Sequence, residues 1–78
     1  MQPRPRHPMP DDVTEALETA GARGDYDARP AYQRNDYIGW IGTAKTDVTR
    51  TRRIDQMIRE LHQGGVYMSM EHRPSRKA

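Results

Sequence analysis

Apolar residues recur in this chain at the spacing of one helix face, in three separate segments. Each segment has four of them at positions i, i+3, i+4 and i+7, namely Val13, Ala16, Leu17 and Ala20; Tyr37, Trp40, Ile41 and Ala44; and Ile54, Met57, Ile58 and Leu61. This spacing is typical of amphipathic helices and predicts helices over residues of about 10–20, 30–45 and 47–63. The stretch 24–28 between the first two is a connector or a single helical turn, and Tyr26 is its one sizeable apolar residue.

Residues that start and stop helices fall at the ends of these segments. Pro10 and Pro30 suit the first position of a helix, where no backbone N–H is needed. Thr46 or Asp47 offers a side-chain oxygen to the first free amides of the third helix, as an N-cap. The pair Gly64–Gly65 ends that helix, because glycine readily leaves helical geometry. These signals agree with the periodicity.

Three helices of one period joined by short linkers predict an all-α fold, a small three-helix bundle that spans residues 9–65. Residues 1–8 contain three prolines and almost nothing to bury, so we expect a disordered N-terminal tail. In the C-terminal segment 66–78, the apolar stretch Val66–Met68 could fold back on the bundle. From His72 onward the chain is basic and polar, which predicts a loose tail and partial disorder of this segment.

Composition limits the classes of protein that this chain can form. It has 78 residues, of which 33% are hydrophobic, so we expect one domain with a small core. It contains no cysteine, which excludes disulfides and thiolate metal sites and fits a reducing compartment. No segment approaches the roughly 18 apolar residues that span a bilayer, and no apolar stretch follows the basic N-terminus. We therefore expect a cytoplasmic protein that does not insert into membranes.

Charge is distributed unevenly along the chain. Residues 1–10 carry two basic side chains, residues 11–44 carry three basic and seven acidic ones, and residues 45–78 carry eight basic and four acidic ones. The successive net charges are +2, −4 and +4, which sum to the +2 of the whole chain. Acidic and basic helices packed side by side would explain this separation, and a basic docking face is the alternative.

Two consecutive motifs resemble those of a known family. They are the stretch Tyr37–Lys45, which contains Trp-Ile-x-x-Ala-Lys, and the stretch Thr49–Ile54, which reads Thr-Arg-x-Arg-Arg-Ile; Pro10–Val13 and Tyr26–Ala28 precede them. Over roughly residues 9–63 the chain is similar to the YdeI/OmpD-associated family, also called bacteriocin-protection proteins. The resemblance implies a bacterial protein and a helical segment that often ends a longer chain. It implies no catalytic residues and no molecular mechanism.

The chain departs from the family pattern at four positions. Gly39 and Gly42 stand where charged helix formers are usual, Val48 stands where an acidic residue is common, and Tyr26 replaces an expected phenylalanine. The change at Val48 weakens the acidic support for the start of the third helix. The hydroxyl of Tyr26 needs a hydrogen-bond partner or water.

The two glycines mark a candidate protein interface on the second helix. Gly39 and Gly42 share a face with Tyr32 and Asn35, opposite the apolar stripe, and Ile38 lies at the edge of that face. Each glycine costs about 1 kcal/mol relative to alanine inside a helix, while its missing side chain permits close backbone approach. We therefore expect another protein, a second copy of the chain or the segment after the third helix to lie there. The alternative is that the two glycines are tolerated sequence changes and that nothing packs against them.

The basic residues near the start of the third helix point in different directions. Arg50 falls on the apolar stripe, and a buried cation must be paired. We expect it to meet a carboxylate of the acidic half, the carbonyls that end the second helix, or the face of Trp40, which is itself predicted to lie in the core. Lys45, Arg52 and Arg59 point outward and are candidate contacts for a polyanion, with weak and salt-sensitive binding. A solvated face without a partner is the alternative.

No constellation of residues predicts catalysis, a cofactor or a metal. The three histidines are far apart, and no two have the i, i+4 spacing of helical metal ligands. No nucleophile has an evident base, and no glycine-rich phosphate loop follows a strand. A ligand pocket would use much of so small a core, so we expect no small-molecule substrate.

The sequence leaves two functions open. The one we favour is a small non-enzymatic interaction module that binds another protein or a second copy of itself through the candidate face of the second helix. The alternative is weak binding of nucleic acid or another polyanion through the basic third helix and the basic tails.

Overall fold

A computed structural model describes residues 6–77 of the protein. This part of the chain forms four helices, a two-stranded hairpin and one 3-10 turn. In chain order they are α1 Asp11–Thr19, α2 Arg23–Asp27, α3 Ala31–Gly42, α4 Asp47–Gln63, β1 Val66–Tyr67, β2 Met70–Glu71 and the 3-10 turn Arg73–Ser75. The two strands pair antiparallel, with Val66 opposite Glu71 and Tyr67 opposite Met70.

The mostly helical fold predicted from the sequence is confirmed, whereas the three-helix bundle is corrected to four helices and a small sheet. A five-residue helix such as α2 is too short to show a periodic stripe, and two-residue strands are too short to show alternation. The hairpin therefore left no pattern in the sequence, whereas α2 corresponds to the single helical turn that was one of the two alternatives for residues 24–28. Residues 1–5 of the predicted disordered tail, and Ala78, lie outside the described residues.

Local hydrogen bonds explain where α3 ends and α4 begins. Thr46 caps α4 by accepting a hydrogen bond from the backbone N–H of Thr49 at 3.1 Å, which confirms one of the two predicted N-caps. Helix α3 ends at Gly42, before the predicted end at about residue 45. The hydroxyl of Thr43 donates to the carbonyl of Trp40 at 2.9 Å, and the chain then turns toward the start of α4.

The apolar core is built from all four helices. Its buried apolar residues are Val13, Leu17, Ala22, Tyr26, Tyr37, Ile38, Ile41, Ile54, Met57 and Leu61. The stripes predicted for the first and third helices supply half of them, in agreement with the positions of α1 and α4.

The buried face of α3 differs from the predicted one. Ile38 is 4% exposed and belongs to the core, while Trp40 packs against the core only from its edge. The sequence had placed Trp40 inside and Ile38 at the rim of an exposed face. Tyr37 and Ile41 are buried as predicted, and Gln33, four residues before Tyr37 on the same side of the helix, is also fully buried. Ile38 is therefore removed from the candidate interface.

Residues after α4 lie against the helical body. Tyr67 and Met68 pack against the core, in agreement with the expected return of the apolar stretch. Beyond His72, where the sequence suggested a loose tail, the chain makes the 3-10 turn. Lys77 then places its Nζ 3.0 Å from the Oδ2 of Asp25, so an ion pair connects the end of the described chain to α2.

Arg50 joins α4 to α1 through a two-point ion pair. Its Nε lies 2.8 Å from Oδ2 of Asp12, and its second terminal nitrogen lies 2.9 Å from Oδ1 of the same residue. The pair confirms the expectation that Arg50 meets a carboxylate of the acidic half. Hydrogen bonding from Arg50 lowers the pKa of Asp12 below its ordinary value of 3.8, because the guanidinium stabilises the charged carboxylate.

We expect Asp12→Asn to lower the free energy of unfolding at neutral pH by up to about 1 kcal/mol, since the pair is partly exposed. The deficit should disappear as the pH falls below 3.8, because the folded pKa is depressed and the pair stabilises the protein only while Asp12 is ionised. Urea denaturation at several pH values measures both effects. Asp11→Asn is the matched control, because it removes from the same helical turn a carboxylate that makes no ion pair within residues 6–77. Equal destabilisation by the two variants would contradict the assigned role of the pair.

Candidate functional site

A buried carboxylate lies at the junction of α3, α4 and the hairpin. Glu60 of α4 is 5% exposed. Its Oε1 accepts hydrogen bonds from the Tyr37 hydroxyl at 2.5 Å and from the Met68 backbone N–H at 2.8 Å. Its Oε2 accepts from the Ser69 backbone N–H at 2.8 Å and from the Gln56 amide at 3.2 Å. Four donors thus satisfy one carboxylate, which meets the requirement for burying a charged group.

The carboxylate holds the hairpin turn in an uncommon backbone conformation. Met68 and Ser69 have φ angles of 48° and 65°, in the left-handed region that two-residue hairpin loops of the primed type require. Neither residue is glycine, so this conformation costs backbone energy. Glu60 accepts from both turn amides, which offsets that cost and fixes the hairpin on the helices.

Tyr37 remains a proton donor in this arrangement. Burial, followed by the hydrogen bond to Glu60, raises the pKa of the Tyr37 phenol. The phenol therefore stays protonated across the physiological range and donates to the carboxylate. Its ring also packs edge-on against the ring of Tyr67, with 5.4 Å between centroids, so the hairpin and α3 are joined by both polar and aromatic contacts.

An exposed apolar surface forms where the hairpin meets α3. The ring of Tyr67 also lies edge-on to Tyr32, 6.0 Å between centroids, and its hydroxyl donates to Oδ2 of Asp36 at 2.7 Å. Met70 stands directly across the hairpin from Tyr67, so both side chains share one face. Tyr32 is 48% exposed and Met70 is 59% exposed. We call Tyr32, Tyr67 and Met70 the tyrosine–methionine patch.

The structure separates the residues of the predicted interface. Tyr32 is exposed and belongs to the tyrosine–methionine patch, and Gly42 faces open space. Gly39, in contrast, is covered by the imidazole of His7, and Asn35 accepts a hydrogen bond from the His7 backbone N–H at 2.8 Å. The close approach expected at Gly39 therefore exists, but a residue near the N-terminus makes it rather than a partner helix or the hairpin.

The predicted polyanion contacts all lie at the surface. Lys45, Arg52 and Arg59 are exposed, and within residues 6–77 none of them makes an ion pair. Arg52 and Arg59 are seven residues apart on the outer side of α4. Asp55 lies between them at helical neighbour spacing to both, so the outer face of α4 carries charges of both signs.

Two arginines with buried or half-buried roles were missed by the sequence reasoning. Arg53 donates to the Trp40 carbonyl at 2.6 Å and lies over its indole, 5.2 Å from the ring centre. Arg29 is 4% exposed and donates to Oε1 of Gln33 at 3.1 Å. The spacing of Arg29, Gln33 and Tyr37, four residues apart each time, is the signal that could have predicted a buried polar edge on α3.

The histidines lie at three separate places. His7 covers Gly39, His62 has its Nε2 3.0 Å from the Ala20 carbonyl, and His72 has its Nδ1 2.9 Å from the Ser75 hydroxyl. Among the residues that the structure describes, no three His, Cys, Asp or Glu side chains are grouped so that they could hold a metal ion. In the same part of the chain no helix has both the length and the apolar character needed to cross a bilayer.

Comparison with known proteins places the chain in a family. A family model described as bacteriocin-protection, YdeI or OmpD-associated (OmdA) matches residues 7–64. The match covers well over half of the chain, and the protein belongs to this family, as the motifs of α3 and α4 predicted. All four helices and the carboxylate of Glu60 lie inside the matched range, while the hairpin lies beyond it. No curated protein and no solved structure matches the chain.

We expect Glu60→Gln to lower the free energy of unfolding by about 1–3 kcal/mol, because the new amide presents a donor where four donors already converge. Urea denaturation measures the loss, and the amide resonances of Met68 and Ser69 should shift with it. Glu18→Gln, at an exposed position of α1, is the matched control and should change stability by less than about 0.5 kcal/mol. Similar stability of the two variants would be incompatible with the role assigned to Glu60.

We expect Gly39→Ala to displace the His7 ring, because a Cβ there would lie 2.8 Å from its Cδ2 and Nε2. The ring resonances of His7 in NMR spectra should move in this variant. Gly42→Ala meets open space, so it should leave those resonances unchanged and stabilise α3 by up to about 1 kcal/mol. If His7 responded in neither variant, its packing on Gly39 would be disproved.

Proposed function

We propose that the protein is a non-catalytic, cytoplasmic module that binds a short segment of another protein on the tyrosine–methionine patch. The observation that carries this proposal is the exposure of two large apolar residues, 48% for Tyr32 and 59% for Met70, of which one contacts the ring of Tyr67 and the other pairs with Tyr67 across the hairpin. Tyrosine and methionine are enriched at protein interfaces. Val48 is also exposed, but it stands alone, and isolated apolar side chains are normal on protein surfaces.

The rigidity of the base beneath the patch supports the proposal. Tyr67 rests on the buried ring of Tyr37, and the turn that carries it is held by Glu60. A preorganised surface loses little conformational entropy when a partner binds. Glu60 supports the non-catalytic part of the proposal, since its carboxylate is fully engaged in hydrogen bonds that position the hairpin.

The size of the patch favours a short segment over a second copy of the chain. A patch of three side chains offers far less area than the roughly 800 Å² that each partner buries in a stable protein interface. A transient complex with one or two apolar side chains of a peptide fits that size better. Docking on another protein is also in keeping with the words "OmpD-associated" in the family description.

Peptide display tests this proposal directly. Short random peptides selected on the wild-type protein should bind Met70→Ser and Tyr32→Ser at least about tenfold more weakly, because each change removes an apolar anchor. Val48→Ser is the matched control, since it removes an exposed apolar side chain outside the patch and should leave binding unchanged. Selected peptides that bind all three variants like the wild type, or the absence of any selected peptide, would overturn the proposal.

The second candidate function is binding of a polyanion through Lys45, Arg52 and Arg59. The observation in its favour is that these exposed cations make no ion pairs within residues 6–77, and the observation against it is the carboxylate of Asp55 between the two arginines. Titration with short DNA and RNA at about 0.05 M salt separates the two candidates. Binding that weakens steeply with added salt and is lost in Arg52→Glu with Arg59→Glu would establish this function, and binding without salt dependence would exclude it.

A further inference from the structure

Within residues 6–77, Arg29 is a buried cation without a carboxylate partner. It lies in the linker between α2 and α3 and is 4% exposed. One terminal nitrogen donates to Oε1 of Gln33 and the other to the backbone carbonyl of Glu60, each at 3.1 Å. Within residues 6–77 no carboxylate lies at ion-pair distance from it. A buried charge ordinarily requires an opposite charge nearby, and the Glu60 carboxylate is already occupied by four other donors.

The guanidinium retains unused hydrogen-bonding capacity. It has five N–H groups, and its two contacts with Gln33 and Glu60 use the terminal nitrogens only. The Nε of Arg29 donates to no acceptor in the described part of the chain, where every side-chain nitrogen sealed from solvent has a partner. The Nε is therefore open to accessible space.

Arg29 also lines a cleft of about 240 Å³ between the helical body and the C-terminal segment. Its lining includes three cations and one carboxylate, together with apolar and hydroxyl groups: Arg29, Arg76, Lys77, Asp25, Leu61 and Ser75. The charged side chains of the lining therefore sum to +2.

The two surface cations of the cleft are held only loosely. Lys77 pairs with Asp25 at 3.0 Å with its side chain 44% exposed, and Arg76 lies 3.5 Å from Glu71 with its side chain 67% exposed. Exposed pairs of this kind contribute little, so both side chains can turn toward a ligand at small cost. Arg29, in contrast, is fixed by its buried contacts.

We propose that this cleft binds the phosphate group of a small phosphorylated molecule. Guanidinium groups recognise oxyanions through paired N–H donors, and a dianionic phosphate matches the net charge of the lining. The cleft is larger than one phosphate, and Leu61 with the neighbouring Ala28 supplies an apolar wall for a small organic part. The site is independent of the tyrosine–methionine patch. Arg76 and Lys77 also lie beyond residues 7–64, so the range matched by the family model does not include these two residues of the site.

NMR titration of the isotopically labelled protein with inorganic phosphate and with glycerol 3-phosphate, at constant low ionic strength, tests this proposal. We expect saturable shifts of the Arg29 Nε–H resonance and of the Ser75, Arg76 and Lys77 amides, with a Kd on the order of 1 mM. Tighter binding of glycerol 3-phosphate would assign the apolar wall to the organic part of the ligand. Tighter binding of inorganic phosphate would restrict the site to the free ion and overturn the organic part of the proposal.

Paired variants distinguish a built site from general charge attraction. Arg76→Gln combined with Lys77→Gln changes only exposed side chains and should raise the Kd at least about tenfold. Arg6→Gln combined with Arg23→Gln removes the same charge from two exposed positions outside the cleft lining and should leave the Kd unchanged. Equal weakening in both pairs would overturn the proposal, as would linear shifts that do not saturate below about 20 mM phosphate. Arg29→Gln should abolish binding; if that variant fails to fold, the two pairs still decide the question.

Discussion

The arrangement of the other elements depends on the hydrogen bonds that the buried carboxylate of Glu60 accepts. It accepts hydrogen bonds from Tyr37 of α3, from Gln56 of its own helix and from two backbone amides of the hairpin turn. One buried group thereby connects three parts of the chain. A hairpin with two-residue strands is not stable alone, and its turn has positive φ angles in two residues with side chains. The hairpin keeps its place because the carboxylate compensates for both.

Directional polar contacts also fix the buried face of α3. Arg29, Gln33, Tyr37 and Glu60 are each at most 5% exposed and are linked by hydrogen bonds. Such a network is favourable only when its buried atoms are satisfied, and no buried side-chain nitrogen or oxygen in residues 6–77 lacks a partner. Hydrogen bonds require defined geometry, whereas apolar contacts are non-directional. The network therefore holds Gln33 and Tyr37 inward in defined positions.

The sequence was informative where an interaction is local or periodic. The stripes of α1 and α4, the cap at Thr46 and the need of Arg50 for a carboxylate could all be predicted, because each depends on spacing along one helix or on charge. Glu60 was not predicted, since its turn partners come from strands too short to show a pattern. For the same reason the tyrosine–methionine patch was predicted only in part. Tyr32 was identified from its helix face, but Tyr67 and Met70 lie beside Tyr32 only because the hairpin brings them there.

The contact of Arg53 with Trp40 has a practical consequence for following the protein in solution. Trp40 is the single tryptophan of the chain, and it lies at the seam of α3 and α4 with a guanidinium 5.2 Å from its ring centre. Indole emission is sensitive to nearby charge and to water. Separation of the two helices would remove the cation and hydrate the ring together, so the intrinsic fluorescence of the chain is a label-free reporter of that one seam.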